Sequence, residues 1–186
     1  MSKSKVFCLG LPKTGTSTIT AILKRFGYKT SHWIWGTLDK AFANPERIDN
    51  YDAVTDFPIP IMYRHLDIRY PDAKFILTER EIESYIRSAR HHFVRPYNSI
   101  MYFGYGIRRW NESAHRKIFL DHSRSVVQYF QDWYPDTIND KLLIINICDG
   151  KEADEKWQAI ADFLKVPCPQ KGTPFPWENK NRKLHE

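Results

Sequence analysis

The sequence predicts an α/β fold: a central, mainly parallel sheet with helices on both faces, in three layers. Two observations carry this. Short apolar runs at 6–9, 53–55, 74–78 and 142–147 alternate with longer amphipathic stretches, the pattern of parallel strands joined by helical crossovers. The first run also leads into a glycine-bearing turn and then a helix, so the chain folds back at once over the sheet it has begun.

Each element follows from local pattern. Ile19, Ile22, Leu23 and Phe26 recur at i, i+3, i+4 and i+7, as do Trp157, Ile160, Ala161 and Leu164, giving two helices with one apolar stripe each. Phe119, Leu120, Val126, Val127, Phe130, Trp133 and Tyr134 predict a longer helix that stops at Pro135 and covers one sheet face. Residues 93–110 hold several aromatics, two glycines and three arginines and read as loop-rich. From Pro167 onward Pro169, Gly172, Pro174 and Pro176 predict an extended tail over 167–186.

Length allows one domain over 1–186 with a sizeable core. Hydrophobic residues at 42% and charged residues at 27% place the chain with globular proteins. No apolar run approaches membrane-spanning length. Met1 to Lys5 and four apolar residues do not make a secretory h-region, so a cytoplasmic protein is expected. Cys8, Cys148 and Cys168 are odd in number and widely spaced, which favours free thiols over disulfides or zinc ligands. A net charge of +6 suits an anionic ligand. With no helix-turn-helix, zinc-finger or RNP signature, that ligand is expected to be small rather than a nucleic acid.

The chemistry lies in Gly10-Leu11-Pro12-Lys13-Thr14-Gly15-Thr16-Ser17-Thr18. Gly10, Gly15 and Ser17 keep the spacing of a P-loop, G-x-x-x-x-G-K-[ST], but Thr16 stands in the lysine slot and Lys13 precedes the second glycine. A strand, a tight turn and a helix start still aim backbone N–H groups at one point, as an anion requires. The fold is therefore of the P-loop nucleotide-binding type, with the phosphotransferase lysine displaced.

Pro12 through Ser17 resemble the 5′-phosphosulfate loop, P-K-[ST]-G-T-[ST], of sulfotransferases that use 3′-phosphoadenosine 5′-phosphosulfate (PAPS). Lys74 to Arg80 reads as a strand delivering an arginine, with Ser88 eight residues later in a helix. That form is similar to the family's 3′-phosphate site, and a guanidinium with a hydroxyl suits a doubly charged phosphate. Glu81-Ile82 stands where relatives continue with Asn-Pro or Asp-Pro, and Thr18 where many place an adenine-stacking tryptophan. In Val54-Thr55-Asp56-Phe57-Pro58, Asp56 occupies the position of the family's catalytic histidine; a partly buried carboxylate can serve as base. Lys171-Gly172 and the basic run 180–183 resemble a basic-glycine motif that clamps the 3′-phosphate.

The resemblance implies sulfuryl transfer from PAPS to an acceptor, a hydroxyl on a small molecule, glycan or lipid, by in-line displacement. 3′,5′-Adenosine bisphosphate leaves and no metal is used. Lys13 and Asp56 would be catalytic; Pro12, Lys13, Thr14, Gly15, Thr16, Ser17, Thr18, Arg80, Ser88, Lys171 and Gly172 would hold the donor. Two other readings stay open: a P-loop small-molecule kinase, which needs a lysine beside Ser17, and a non-catalytic nucleotide-binding module. His91, His92 and His115 have no metal-like arrangement.

Overall fold

The computed structural model describes residues 3–33, 46–94, 104–150 and 152–177. Five parallel strands form one sheet in the order β2-β3-β1-β4-β5. They are β1 (Val6–Cys8), β2 (Thr30–His32), β3 (Ala53–Thr55), β4 (Lys74–Glu79) and β5 (Leu142–Asn146). The first strand in the chain is thus the central one, and the loop that follows it opens at the middle of the sheet's carboxyl edge.

Side-chain alternation along β1 divides the core. Val6 and Cys8 face helix α1 (Thr16–Arg25) and the C-terminal helix Ala153–Leu164, packing on Ile19, Ile22, Leu23, Trp157 and Ile160. Phe7 faces the opposite layer, where Val126 and Phe130 of the long helix Glu112–Trp133 meet Phe75 and Leu77 of β4. Numbering helices in chain order, α2 is Glu46–Asp49, α3 Tyr63–Arg69, α4 Ile82–Phe93, α5 Glu112–Trp133, α6 Ile138–Lys141 and α7 Ala153–Leu164. Three predicted strands keep their place with ends moved by one residue: β1 closes at Cys8, β4 runs on to Glu79 and β5 stops at Asn146.

β2 and α3 are additions to the predicted set. β2 is a three-residue edge strand of polar residues, none of them buried, so it carries no apolar signal. The aromatic segment 93–110 divides: Tyr97, Tyr102 and Phe103 lie outside the described residues, whereas Tyr105, Ile107 and Trp110 pack against a cluster of Leu11, Tyr85, Ile86, Ala89, Phe93 and Phe119. The tail through Trp177 is irregular, as its prolines predict, and it is anchored: Trp157 Nε1 donates to the Thr173 carbonyl at 3.1 Å and Phe175 meets the Trp157 ring edge-on. Cys8 is buried, Cys148 half-buried and Cys168 exposed, all free thiols. No described helix is long and apolar enough to cross a membrane.

Candidate functional site

The loop after β1 is built on left-handed backbone at two residues, Lys13 at φ 80° and Gly15 at φ 98°. Glycine is needed at 15 for space as well as conformation, because a Cβ there would lie 2.7 Å from Ile147 Cδ1. As N-cap of α1, Gly15 has no side chain to cap the helix, and the first turn contains no acidic residue. The amino end of α1 therefore turns uncapped N–H groups and the positive end of its dipole toward the cradle.

The loop is fixed from beneath by β4. Thr14 is fully buried; its hydroxyl donates to the Leu11 carbonyl at 2.7 Å and lies 2.7 Å from Thr78 Oγ1. That side chain is committed to the protein, so Thr14 can serve a ligand only through its backbone. Gly10 permits the same approach, since a Cβ there would fall 1.7 Å from Thr78 Oγ1 and 2.8 Å from the Thr78 carbonyl. Just before the loop, at the carboxyl end of β1, His122 Nε2 donates to the Leu9 carbonyl at 2.7 Å, tying α5 to the strand. Burial lowers the His122 pKa and favours this neutral donor form.

Arg80 follows β4 directly and reaches across to the loop. Its Nη1 donates to the Lys13 carbonyl at 3.0 Å and its Nε to Ser84 Oγ at 2.9 Å. The hydroxyl holding the guanidinium is thus that of Ser84, one helical turn before Ser88, with Ser88 on the same face of α4. Glu81 caps this helix, its carboxylate accepting from the N–H groups of Glu83 and Ser84. Those two bonds hold its pKa below the ordinary range, and they account for the acidic residue after Arg80: it starts α4 and fixes where Ser84 points.

Asp56 stands at the turn leaving β3, at φ 67°, with only 7% of its surface exposed. Thr16 Oγ1 donates to its Oδ2 at 3.0 Å, and the Phe57 N–H donates to its Oδ1 at 2.7 Å. The threonine in the P-loop lysine slot is therefore turned onto this carboxylate. His32, the last residue of β2, completes the group: Nε2 lies 3.3 Å from Asp56 Oδ2 and 3.3 Å from Ser17 Oγ. Sequence reasoning missed His32, because only the β2–β3 pairing, with His32 opposite Thr55, brings it to Asp56.

Two further features border the site. Gly104 packs on the Phe57 ring, where a Cβ would come within 2.6 Å. The neighbouring Tyr105 hydroxyl is buried and has no hydrogen-bond partner among the described residues. Burial, with the Tyr85 hydroxyl and the Asp56 carboxylate adding to it, pushes the Tyr105 pKa up. On the β5 side, Cys148 Sγ lies 3.7 Å from the Thr14 carbonyl, and the buried Lys156 pairs with Asp149 at 2.7 Å. Lys171 and Gly172 form a turn whose Gly172 N–H donates to Asp154 Oδ1 at 2.9 Å, docking it on α7. Residues 180–183 lie outside the described residues. Among the described residues no three His, Cys, Asp or Glu side chains group as a metal would require.

A family model described as a sulfotransferase domain matches residues 5–184. Ava biosynthesis cluster protein M of Aspergillus versicolor is 27% identical over 220 residues, covering 91% of this chain and 79% of that protein. Mouse sulfotransferase SULT7A1, solved in complex with PAP, matches with a TM-score of 0.54 at 15% identity over 91% of this chain. The match covers 62% of the mouse chain, so this protein spans about three fifths of its length. Shikimate kinase from Bacteroides thetaiotaomicron matches with a TM-score of 0.52 at 11% identity, over 89% of this chain and all of its own. At these identities both structures show a shared fold.

Proposed function

The chain belongs to the sulfotransferase domain family, and from that membership we propose that it moves a sulfuryl group from PAPS to an acceptor hydroxyl. The observation that carries the reading is the bridge between Arg80 and the Lys13 carbonyl, which joins the loop after β1 to the end of β4. A donor with phosphate groups at both its 5′ and 3′ ends needs two anion sites held at a fixed separation, and this bond couples two candidates for them.

In this reading the backbone of residues 12–18 and the Ser17 hydroxyl hold the 5′-phosphosulfate at the start of α1. Lys13 offsets charge developing on the oxygen that leaves with the nucleotide. Arg80, with Ser84 beside it and Ser88 a turn further on, holds the 3′-phosphate. Asp56 takes the proton of the acceptor hydroxyl. The buried Tyr105 phenol, close enough to feel Asp56, marks the acceptor side and is suited to hydrogen-bond the incoming hydroxyl. Thr16 donating to Asp56 weighs against a kinase, whose loop would use a lysine at that position to meet a terminal phosphate.

Calorimetric titration with 3′,5′-adenosine bisphosphate, run beside ATP with magnesium, tests the assignment. Binding of the bisphosphate alone is expected; preference for magnesium ATP would overturn it.

A further inference from the structure

The hydrogen-bond directions around His32 leave one proton unaccounted for. Thr20 has a single hydroxyl hydrogen, and it is donated back to the Thr16 carbonyl at 2.7 Å inside α1. Thr20 Oγ1 can then only accept from its other neighbours, Thr55 Oγ1 at 2.6 Å and His32 Nδ1 at 3.1 Å. Thr55 spends its own hydrogen on Thr20, so His32 Nδ1, 2.9 Å from Thr55 Oγ1, must be the donor there. The chain of threonines thus fixes the ring as the Nδ1–H tautomer.

In that tautomer a neutral ring presents a bare Nε2. It faces Asp56 Oδ2, also an acceptor, at 3.3 Å. Two acceptor atoms held at this separation repel unless a hydrogen lies between them. Ser17 can donate to Nε2 and Thr16 to Oδ2, but neither hydrogen sits on the line joining them. Among the described residues, the polar side chains bonded to the ring are Ser17 and Thr20 from α1, Thr55 from β3 and Asp56 at the turn after it.

We propose that His32 Nε2 and Asp56 Oδ2 form a two-atom slot for the proton released by the acceptor hydroxyl, with His32 sharing that proton beside Asp56. The inference rests on the transferase reading above. The acceptor oxygen forms its bond to sulfur as its O–H bond breaks, and the proton settles between Oδ2 and Nε2. The sulfur–oxygen bond to the nucleotide breaks with its electron pair leaving on 3′,5′-adenosine bisphosphate. The half-open imidazole, its side chain 34% exposed against 10% for Asp56, then offers a route to solvent.

Nitrogen-15 NMR of histidine-labelled protein tests this without knowledge of the acceptor, His32 being assigned by the resonance lost in His32→Gln. In the resting protein the expected ring carries hydrogen on Nδ1 with Nε2 bare; a hydrogen already shared between Nε2 and Asp56 would leave no place for the acceptor's proton and overturn the proposal. A neutral ring with its hydrogen on Nε2 alone overturns the proposal. In turnover with PAPS and a panel of phenols and primary alcohols, His32→Ala should lose about 100-fold in kcat and regain part of it with added imidazole. Its affinity for 3′,5′-adenosine bisphosphate should be kept. Full turnover in His32→Ala would sink the slot while leaving the transferase reading in place, whereas failure of the unaltered chain to bind the bisphosphate would sink that reading, with the ring tautomer still reporting on the slot.

Discussion

Arg80 donates to the carbonyl of Lys13 at 3.0 Å across 67 residues of sequence. The same guanidinium is held by Ser84, so one cation braces the loop and still presents N–H groups beyond it. Arg80→Ala should weaken binding of 3′,5′-adenosine bisphosphate by about 10- to 100-fold, the range of a lost charged hydrogen bond. Arg80→Lys, which cannot reproduce the fork, should recover only part of this. Calorimetry gives the answer, and an unchanged affinity in the alanine variant would remove Arg80 from the site.

Lys13 combines a chemical role with a backbone role. At φ 80° a residue bearing a Cβ is strained by about 1 kcal/mol, and the alanine variant keeps that strain while a glycine variant does not. Both Lys13→Ala and Lys13→Gly should lower turnover at least 100-fold, and the glycine form should melt no lower than the alanine form. Near-normal turnover in a folded Lys13→Ala protein would refute the assigned role.

Gly10 tests how tightly β4 supports the cradle. Its φ is not in the left-handed region, so any cost of Gly10→Ala comes from the clash with Thr78, 1.7 Å from the added carbon at Oγ1 and 2.8 Å at the carbonyl. Overpacking of this kind costs about 1–3 kcal/mol, and displacing Thr78 also breaks its contact with Thr14. Gly106, at φ 71° with open space around its Cβ position, is the control that isolates conformational strain. Thermal melts should show a larger loss at position 10 than at 106.

Two histidines make stability depend on pH. His115 is fully buried between Trp110 and Phe93, and the partly buried His122 lies against Leu9 at the end of the central strand. Burial lowers both pKa values from 6.5. The unfolded chain therefore binds more protons than the folded one below pH 6.5, so the stability these residues provide is complete above that pH and is lost as pH falls through the folded values. Melting temperature should drop between pH 7 and pH 5. His115→Phe should flatten this slope. It also removes the Nε2 that has no partner among the described residues, so the variant should be at least as stable at pH 7; a steeper slope would contradict the account.

The loop, four of the five strands and helices α1, α5 and α7 were legible in sequence, because each carries its signal locally: an apolar run, a 3.6-residue stripe, glycines at fixed spacing. What escaped was written across the chain. β2 has no apolar residue to announce it, and its value to the site lies in pairing with β3, which brings His32 opposite Thr55. Arg80 was visible as the residue ending a strand, but its bond to Ser84 depends on the turn set by Glu81. That the Thr14 hydroxyl is spent on the Leu11 carbonyl and Thr78 likewise depends on where β4 lies beneath the loop.

Because β1 is the middle strand, it needs partners on both edges, at Ala53–Val54 on one side and Lys74–Ile76 on the other. During synthesis β1 must therefore wait for most of the next seventy residues before both of its edges are paired, each pairing closing a long loop at an entropic cost. The loop that would hold the nucleotide acquires its shape only when Thr78 and Arg80 arrive. Nascent chains shorter than this have no cradle to fill, so nucleotide capture during translation would report, at residue resolution, the moment at which the central sheet closes.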